Sequence, residues 1–218
     1  MAETPRDRAG ITQSMTILIT GIEPFAGLAY NPSAEIAAAL DGKEIGGRMV
    51  VGKQLPVEFA RYRVGLEALL REFSPTLYIG FGLASGEDMI RIERFGVNLA
   101  DFDIPDNAGA KHIGRTIKPD GPAARGATLP CTAIRAALLQ AGIPARLANS
   151  AGSYVCNAAC FSRMHLLATH HQQVRGGFIH IPYLPRQAAA HPGAPSMELG
   201  TLSKGIGIAI EAALLNQV

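Results

Sequence analysis

Thr16-Ile17-Leu18-Ile19-Thr20-Gly21, followed at a short remove by Asn31-Pro32-Ser33-Ala34-Glu35-Ile36-Ala37-Ala38-Ala39-Leu40, is the stretch on which the fold turns. The first segment is a brief apolar run ended by glycine, the pattern of a buried strand. In the second, Asn31 offers a cap, Pro32 a preset first turn, and Gly42 a stop, so Pro32 to Leu40 reads as a helix. The same alternation continues outward. Arg48 to Leu55 reads as a strand, Val57 to Phe73 as an amphipathic helix, and Leu77-Tyr78-Ile79-Gly80 as another buried strand. Pro130 to Ala141 is a helix stopped by Gly142, Arg146 to Ala148 a short strand, and Tyr154 to Thr169 a helix. Gly177 to Pro182 is a strand ended by proline, and Ser196 to Leu215 a final helix. Strands alternating with helices predict an α/β protein, a three-layer α/β/α sandwich around a mostly parallel, mixed central sheet.

With 218 residues and 48% hydrophobic positions, the chain can bury one sizeable core, which predicts a single domain over residues 15–218. Residues 1–14 are polar, carry both charges and lack an apolar core, so they read as a flexible N-terminal extension and not a signal peptide. Twenty basic and 18 acidic residues are spread along the chain, and the net charge of +2 gives no footprint for nucleic acid. No apolar run approaches the roughly 20 residues of a membrane helix. The expected partner is a small peptide or amide substrate. Three cysteines, Cys131, Cys156 and Cys160, cannot all pair, which favours a reducing cytoplasm.

The chemistry concentrates in Ser150-Ala151-Gly152-Ser153-Tyr154-Val155-Cys156-Asn157. A small-residue turn precedes the helix, and Ser153 is the expected N-cap, leaving Cys156 at the third helical position. A thiol attacks as thiolate, and a helix N-terminus lowers its pKa while offering N–H groups to an oxyanion. The plain alternative is a small buried hydrophobe. A base is found 24 residues on, where His180 lies near the C-terminal edge of Gly177-Phe178-Ile179-His180-Ile181-Pro182. Open α/β sheets present functional groups at such edges. The alternative for His180 is a core histidine bonded to backbone. His165, His170 and His171 lie on or after the helix and His112 and His191 in loops, all poorer as bases.

A third group is needed to fix the imidazole tautomer and stabilise its cation. Glu93 is the best candidate, in a strand-like run where Ile90 and Ile92 alternate with Arg91 and Glu93; a simple ion pair with Arg91 or Arg94 is the competing role. Asp101, Asp103 and Asp106 are rivals in the following loop, and the turn-rich connection Asp103 to Arg125 is long enough to be functional. Gly80-Phe81-Gly82-Leu83-Ala84-Ser85-Gly86 has the wrong glycine spacing for a dinucleotide and leads toward a strand, so no cofactor is expected. Cys156 and Cys160 share a helix face with His165 nearby, but without a second paired motif no metal is expected either.

Thr20-Gly21-Ile22-Glu23-Pro24-Phe25, Asn31-Pro32-Ser33, Glu93-Arg94 with Asn98, Ile104-Pro105-Asp106-Asn107, the cysteine motif and Gly177 to Tyr183, in this order, resemble the pyrrolidone-carboxylate peptidases, also called pyroglutamyl peptidase I. The resemblance runs from about Met15 to about Gln187. It implies a Cys156, His180 and Glu93 triad on an α/β/α fold, removal of an N-terminal pyroglutamyl residue, and an intracellular homo-oligomer, tetramer or dimer, without cofactor. It also implies a substrate pocket. Phe25, Ile104, Tyr154 and Val155 match its apolar wall, whereas Ile22 stands where the family usually has a second phenylalanine. Leu83 stands where it usually has a glutamine that helps hold the lactam. These two departures keep open a thiol amidase acting on a different small acyl or cyclic amide, and, from another class, a non-catalytic binding protein on the same scaffold.

Overall fold

The strand-like segments gather into one sheet because each carries a face, or both faces, that must leave water. The computed structural model describes residues 16–102 and 104–216, so the expected extension at residues 1–14 and the rival acid Asp103 lie outside the described residues. In chain order the elements are β1 (Thr16–Ile22), α1 (Pro32–Leu40), β2 (Glu44–Ile45), β3 (Arg48–Leu55), α2 (Phe59–Phe73), β4 (Leu77–Leu83), β5 (Ile90–Glu93), β6 (Phe95–Val97), β7 (Ala100–Phe102), β8 (His112–Arg115), β9 (Ala124–Gly126), α3 (Cys131–Gln140), β10 (Ala145–Ala148), α4 (Val155–His170), β11 (Arg175–Ile181), α5 (Pro185–Ala188) and α6 (Leu199–Leu215).

Seven strands form the central sheet in the order β10-β5-β11-β4-β1-β3-β2. The pairs β1/β3, β1/β4, β4/β11 and β5/β10 are parallel, while β5/β11 and β2/β3 are antiparallel. Two small ribbons, β6 with β9 and β7 with β8, tie the turn-rich connection to the segment that precedes it. The asparagine cap works as its sequence suggests: Asn31 Oδ1 accepts the Ser33 N–H, and α1 begins at Pro32. Two helices start later than predicted. α2 begins at Phe59 because the Asp106 carboxylate accepts the Phe59 N–H from a neighbouring loop. α6 begins at Leu199 because Ser196 and Met197 are held extended against Tyr183.

The sheet divides two cores. Ile17, Ile19, Leu77, Ile79, Ile90, Ile92, Ile179 and Ile181 face α1, α3 and α6. Leu18, Ile22, Tyr78 and Phe178 face α2 and α4. Burying each such Ile or Leu is worth roughly 1.5–3 kcal/mol, which fixes the register, since a one-residue slip would exchange the faces. The same alternation sends Arg91, Glu93, Phe178 and His180 to the α4 side. Register then sets them next to one another. His180 pairs with Gly82 on one side and Arg91 on the other, and Phe178 pairs with Gly80 and Glu93.

Candidate active site

Strand pairing makes the first contact of the site. Antiparallel neighbours two residues out of register are close enough for long side chains to meet, and the His180 Nδ1 lies 2.7 Å from Glu93 Oε1. Both groups are withdrawn from water, with side-chain exposures of 2% and 0%. Arg91 donates from Nε to the same oxygen at 2.6 Å and from Nη1 to Glu87 at 2.8 Å, while Glu87 also receives Arg146 at 2.6 Å. The Arg91 Nη2 stands 3.0 Å from His180 Nδ1. A carboxylate accepting from Nδ1–H assigns that proton, so Arg91 Nε–H and His180 Nδ1–H are two donors on one acceptor, Glu93 Oε1, with Nη2 brought beside the ring. Nε2 is left as the lone-pair nitrogen.

Helix α4 brings the sulfur. Gly152, at φ +80°, makes the left-handed turn that precedes it, a conformation that favours glycine. The predicted cap does not form. The Ser153 hydroxyl donates to the Asp101 carbonyl at 2.8 Å, Tyr154 takes the N-cap position without a side-chain bond, and Cys156 is the second helical residue, not the third. The Tyr154 carbonyl accepts from Asn157 and Ala158, so the Val155 and Cys156 amides fall among those with no partner inside the helix. The Asn157 side chain ties this end down, accepting from Val97 N–H at 3.0 Å and donating to the Val97 and Leu99 carbonyls at 3.0 and 2.7 Å. Gly82 lets the sulfur reach the sheet: a Cβ there would stand 3.3 Å from Cys156 Sγ and 2.6 Å from Phe178 Cζ. Because Gly82 is the strand neighbour of His180, sulfur and imidazole come to the same end of the sheet.

Both open on a cavity of about 550 Å³ that Phe25, Leu83, Arg91, Ile104, Tyr154 and Tyr183 help to line. That size suits a small ligand. Phe25 and Tyr154 rings lie 5.7 Å apart, and the loops bearing Phe25 and Ile104 are joined where Glu23 and the Pro24 carbonyl both accept from Asn107. Two expected pocket residues do not reach the cavity. Ile22 and Val155 are each 2% exposed and pack in the α2/α4 core, because the alternation of β1 turns Ile22 inward and the first turn of α4 turns Val155 toward the sheet.

The electrostatics correct another expectation. Burial pushes the Cys156 thiol up to about 11 against the pull of Arg163 and Arg91, so desolvation outweighs the helix end. Burial likewise lowers His180, although Glu93 opposes it. The resting pair is therefore thiol and neutral imidazole. Burial drives the Cys160 thiol far above its usual range, and Cys131 is raised for the same reason. The rival groups are engaged elsewhere. Asp106 accepts from Phe59, Ala108 and Ala110 amides, and Asp101 from Gly114. His112 and His165 line a separate cavity of about 400 Å³ beside α2. His170 and His171 close α4, and His191 lines the Cys156 cavity while stacked on Tyr183 at 5.2 Å.

The profile of the pyroglutamyl peptidase family matches residues 15–216. The chain belongs to the pyroglutamyl peptidase family. It is 47% identical over 204 residues to the pyrrolidone-carboxylate peptidase of Cupriavidus pinatubonensis, covering 93% of this chain and 94% of the relative. It is 44% identical to that of Escherichia fergusonii over 199 residues, 91% and 92% of the two chains. Among solved structures, pyroglutamyl peptidase I from Bacillus amyloliquefaciens superposes with a TM-score of 0.89 at 36% identity, covering 92% of this chain and 95% of that one. The pyrrolidone carboxyl peptidase of Thermococcus litoralis gives 0.87 at 40%, covering 91% and 93%. In this member of the pyroglutamyl peptidase family, sequence reasoning missed Arg91 as part of the histidine's surroundings and Asn157 as the tether of α4. The alternation that placed Glu93 also contained Arg91, so its facing could have been read; the Asn157 contacts join segments 60 residues apart and left no local signal.

Proposed function

We propose that the chain is a cysteine-type exopeptidase that removes N-terminal pyroglutamyl residues, with Cys156 as nucleophile, His180 as general base and acid, and Glu93 as the group that orients the imidazole. The observation that carries this reading is the convergence of a helix-end thiol, an imidazole and a buried carboxylate on one cavity, in a chain whose family carries out this reaction. As Sγ attacks the pyroglutamyl carbonyl, its proton passes to His180 Nε2, and Glu93 stabilises the imidazolium formed. Neutral resting partners suit a proton transfer concurrent with attack. The unpaired amides of Val155 and Cys156 are positioned to receive the developing oxyanion. The imidazolium then protonates the leaving amine, and water, deprotonated by His180, hydrolyses the thioester.

Leu83 favours a second reading. It offers the cavity an apolar wall and no partner for a lactam amide, which suits a thiol amidase for another small acyl or cyclic amide group. Release of a fluorescent amine from pyroglutamyl, prolyl, alanyl and glutaminyl amides separates the two, with Cys156→Ala as the blank. Preference for the pyroglutamyl amide supports the first reading; preference for another amide supports the second. Residual turnover in Cys156→Ala would remove both. The proposal extends to a cytoplasmic homo-oligomer, dimer or tetramer, working on small peptides, with residues 15–218 folding as one domain. It is supported by the likeness to the family and by the three free thiols, and sedimentation of the purified chain tests the assembly.

A further inference from the structure

Two turns along α4 from Cys156 lies an arginine whose chemistry the reaction above does not use. The Arg163 side chain is fully buried. Its guanidinium carbon sits 4.4 Å from the Phe178 ring centre, 5.2 Å from that of Tyr78 and 5.5 Å from that of Tyr62. Its one hydrogen bond among the described residues runs from Nη2 to the Tyr62 hydroxyl, and Nε and Nη1 are buried without a partner. No carboxylate pairs with it among the described residues. The sheet makes room for this charge. Gly80 lies across from it, and a Cβ at that position would fall inside the guanidinium.

An uncompensated buried cation costs the fold free energy that a packed apolar side chain would not. Aromatic faces return part of that cost. What remains calls for an anion that the resting protein lacks. The groups around it are Tyr62 from α2, Tyr78 from β4, Phe178 and His180 from β11, Cys156 and Cys160 from α4, with Arg91 and Glu93 beyond on β5. Tyr62 stays protonated, since burial raises it well above its ordinary range. Cys160 is held protonated more firmly than Cys156. Among these groups, the one that becomes an anion during the proposed reaction is therefore the Cys156 sulfur. Phe178 lies between the two: Arg163 rests on its ring, and its Cζ and the Cys156 Sγ border the same Gly82 position, where a Cβ would meet them at 2.6 and 3.3 Å.

We propose that Arg163 is a positioning residue, a buried positive charge two turns along α4 from Cys156 that stabilises the thiolate as its proton leaves for His180. This rests on Cys156 being the nucleophile. The same charge opposes protonation of His180, so Arg163 draws both members of the pair toward lower pH. It thereby sets where along the pH scale the enzyme works.

The test is carbamidomethylation of Cys156 by iodoacetamide, followed at that residue by mass spectrometry from about pH 6 to about pH 11, in wild type, Arg163→Met and Arg163→Gln. In both variants the thiolate fraction at each pH of this range should fall about tenfold, as for a midpoint raised by about one unit, the usual lower bound for losing a close opposite charge. Below the midpoint the rate should fall only about threefold, because a more basic thiolate is also more nucleophilic. The acid limb of kcat/KM should move up as well. A residue that merely fills space would lower the melting temperature without moving either limb, whereas here Arg163→Met should melt at or above wild type. If the Met variant does not fold, the Gln variant, which keeps a bond to Tyr62 without the charge, is decisive. An unchanged alkylation rate across this range in a folded neutral variant overturns the proposal. Turnover surviving in Cys156→Ala would instead overturn the catalytic reading, a separate result.

Discussion

Glu93→Gln isolates the charge of the carboxylate from its shape. Glu93 Oε1 accepts from His180 Nδ1 and from Arg91 Nε, while Oε2 is buried with no partner. A glutamine can therefore keep its oxygen toward both donors and turn its amide nitrogen to the vacant side, leaving the histidine tautomer intact. What is lost is the stabilisation of the imidazolium. A hydrogen bond to a charged group is worth about 1.5–3 kcal/mol against about 0.5–1.5 for a neutral one, and the ion itself adds attraction at short range. A net loss of about 1.4–3 kcal/mol corresponds to a fall of roughly ten- to a hundredfold in kcat. The pH profile gives a second, signed readout. Burial lowers His180, and Glu93 works against that lowering. Without the carboxylate charge the imidazole loses its proton at still lower pH, so the acid limb of kcat/KM, which reports the base in its neutral form, moves to lower pH. Steady-state hydrolysis of a pyroglutamyl amide across the acid range measures both. A kcat within twofold of wild type with an unmoved limb would refute the role given to Glu93.

Three further outcomes follow from the same geometry. Arg91→Met should move the acid limb the opposite way, to higher pH, because Arg91 opposes protonation of His180; the same assay reads it, and a shift to lower pH would contradict the arrangement. Leu83→Gln should lower KM for pyroglutamyl amides about fivefold, the value of roughly 1 kcal/mol for one recovered buried hydrogen bond, with little change in kcat. A low-micromolar KM in wild type that the substitution leaves alone would mean that another residue holds the lactam. Gly82→Ala should destabilise the fold by about 1–3 kcal/mol in denaturant titration and lose most turnover, since its Cβ would press on a fully buried phenylalanine and on the sulfur; wild-type behaviour would show that the site relaxes freely.

The parts of the fold legible in the sequence are those with local causes. Asn31-Pro32 starts α1, Gly142 follows α3, and the runs at Thr16 and Leu77 are strands because an apolar run ended by glycine has few other uses. Cys156, His180 and Glu93 could be singled out because each carries scarce chemistry at an element's end. What stayed hidden depends on pairing. Ser153 is a sound cap by type, but its hydroxyl is taken by the Asp101 carbonyl of another segment. The resemblance puts Ile22 in the pocket beyond a strand that ends at Thr20, whereas β1 continues to Ile22 and its alternation buries the side chain. The thiol was expected to be acidic from its helix end; its burial, a property of the whole sheet, prevails.

That burial also explains why charged groups so far apart in sequence gather at this site. A dry sulfur and a dry imidazole each favour their neutral forms, which protects the resting pair but raises the cost of the ion pair that the proposed attack requires. Glu93 eases the cost on the imidazole and adds to it on the sulfur; Arg91 and Arg163 do the reverse. A carboxylate alone would favour the imidazolium while leaving the thiolate unsupported, and a cation alone would do the opposite. With Glu93 bonded directly to His180 and a buried guanidinium two turns along the helix that carries Cys156, each ion of the proposed pair has an opposite charge within its surroundings. The antiparallel step between β5 and β11 is what makes this possible, since it turns Glu93 toward His180 while leaving α4 free to carry both the sulfur and its cation.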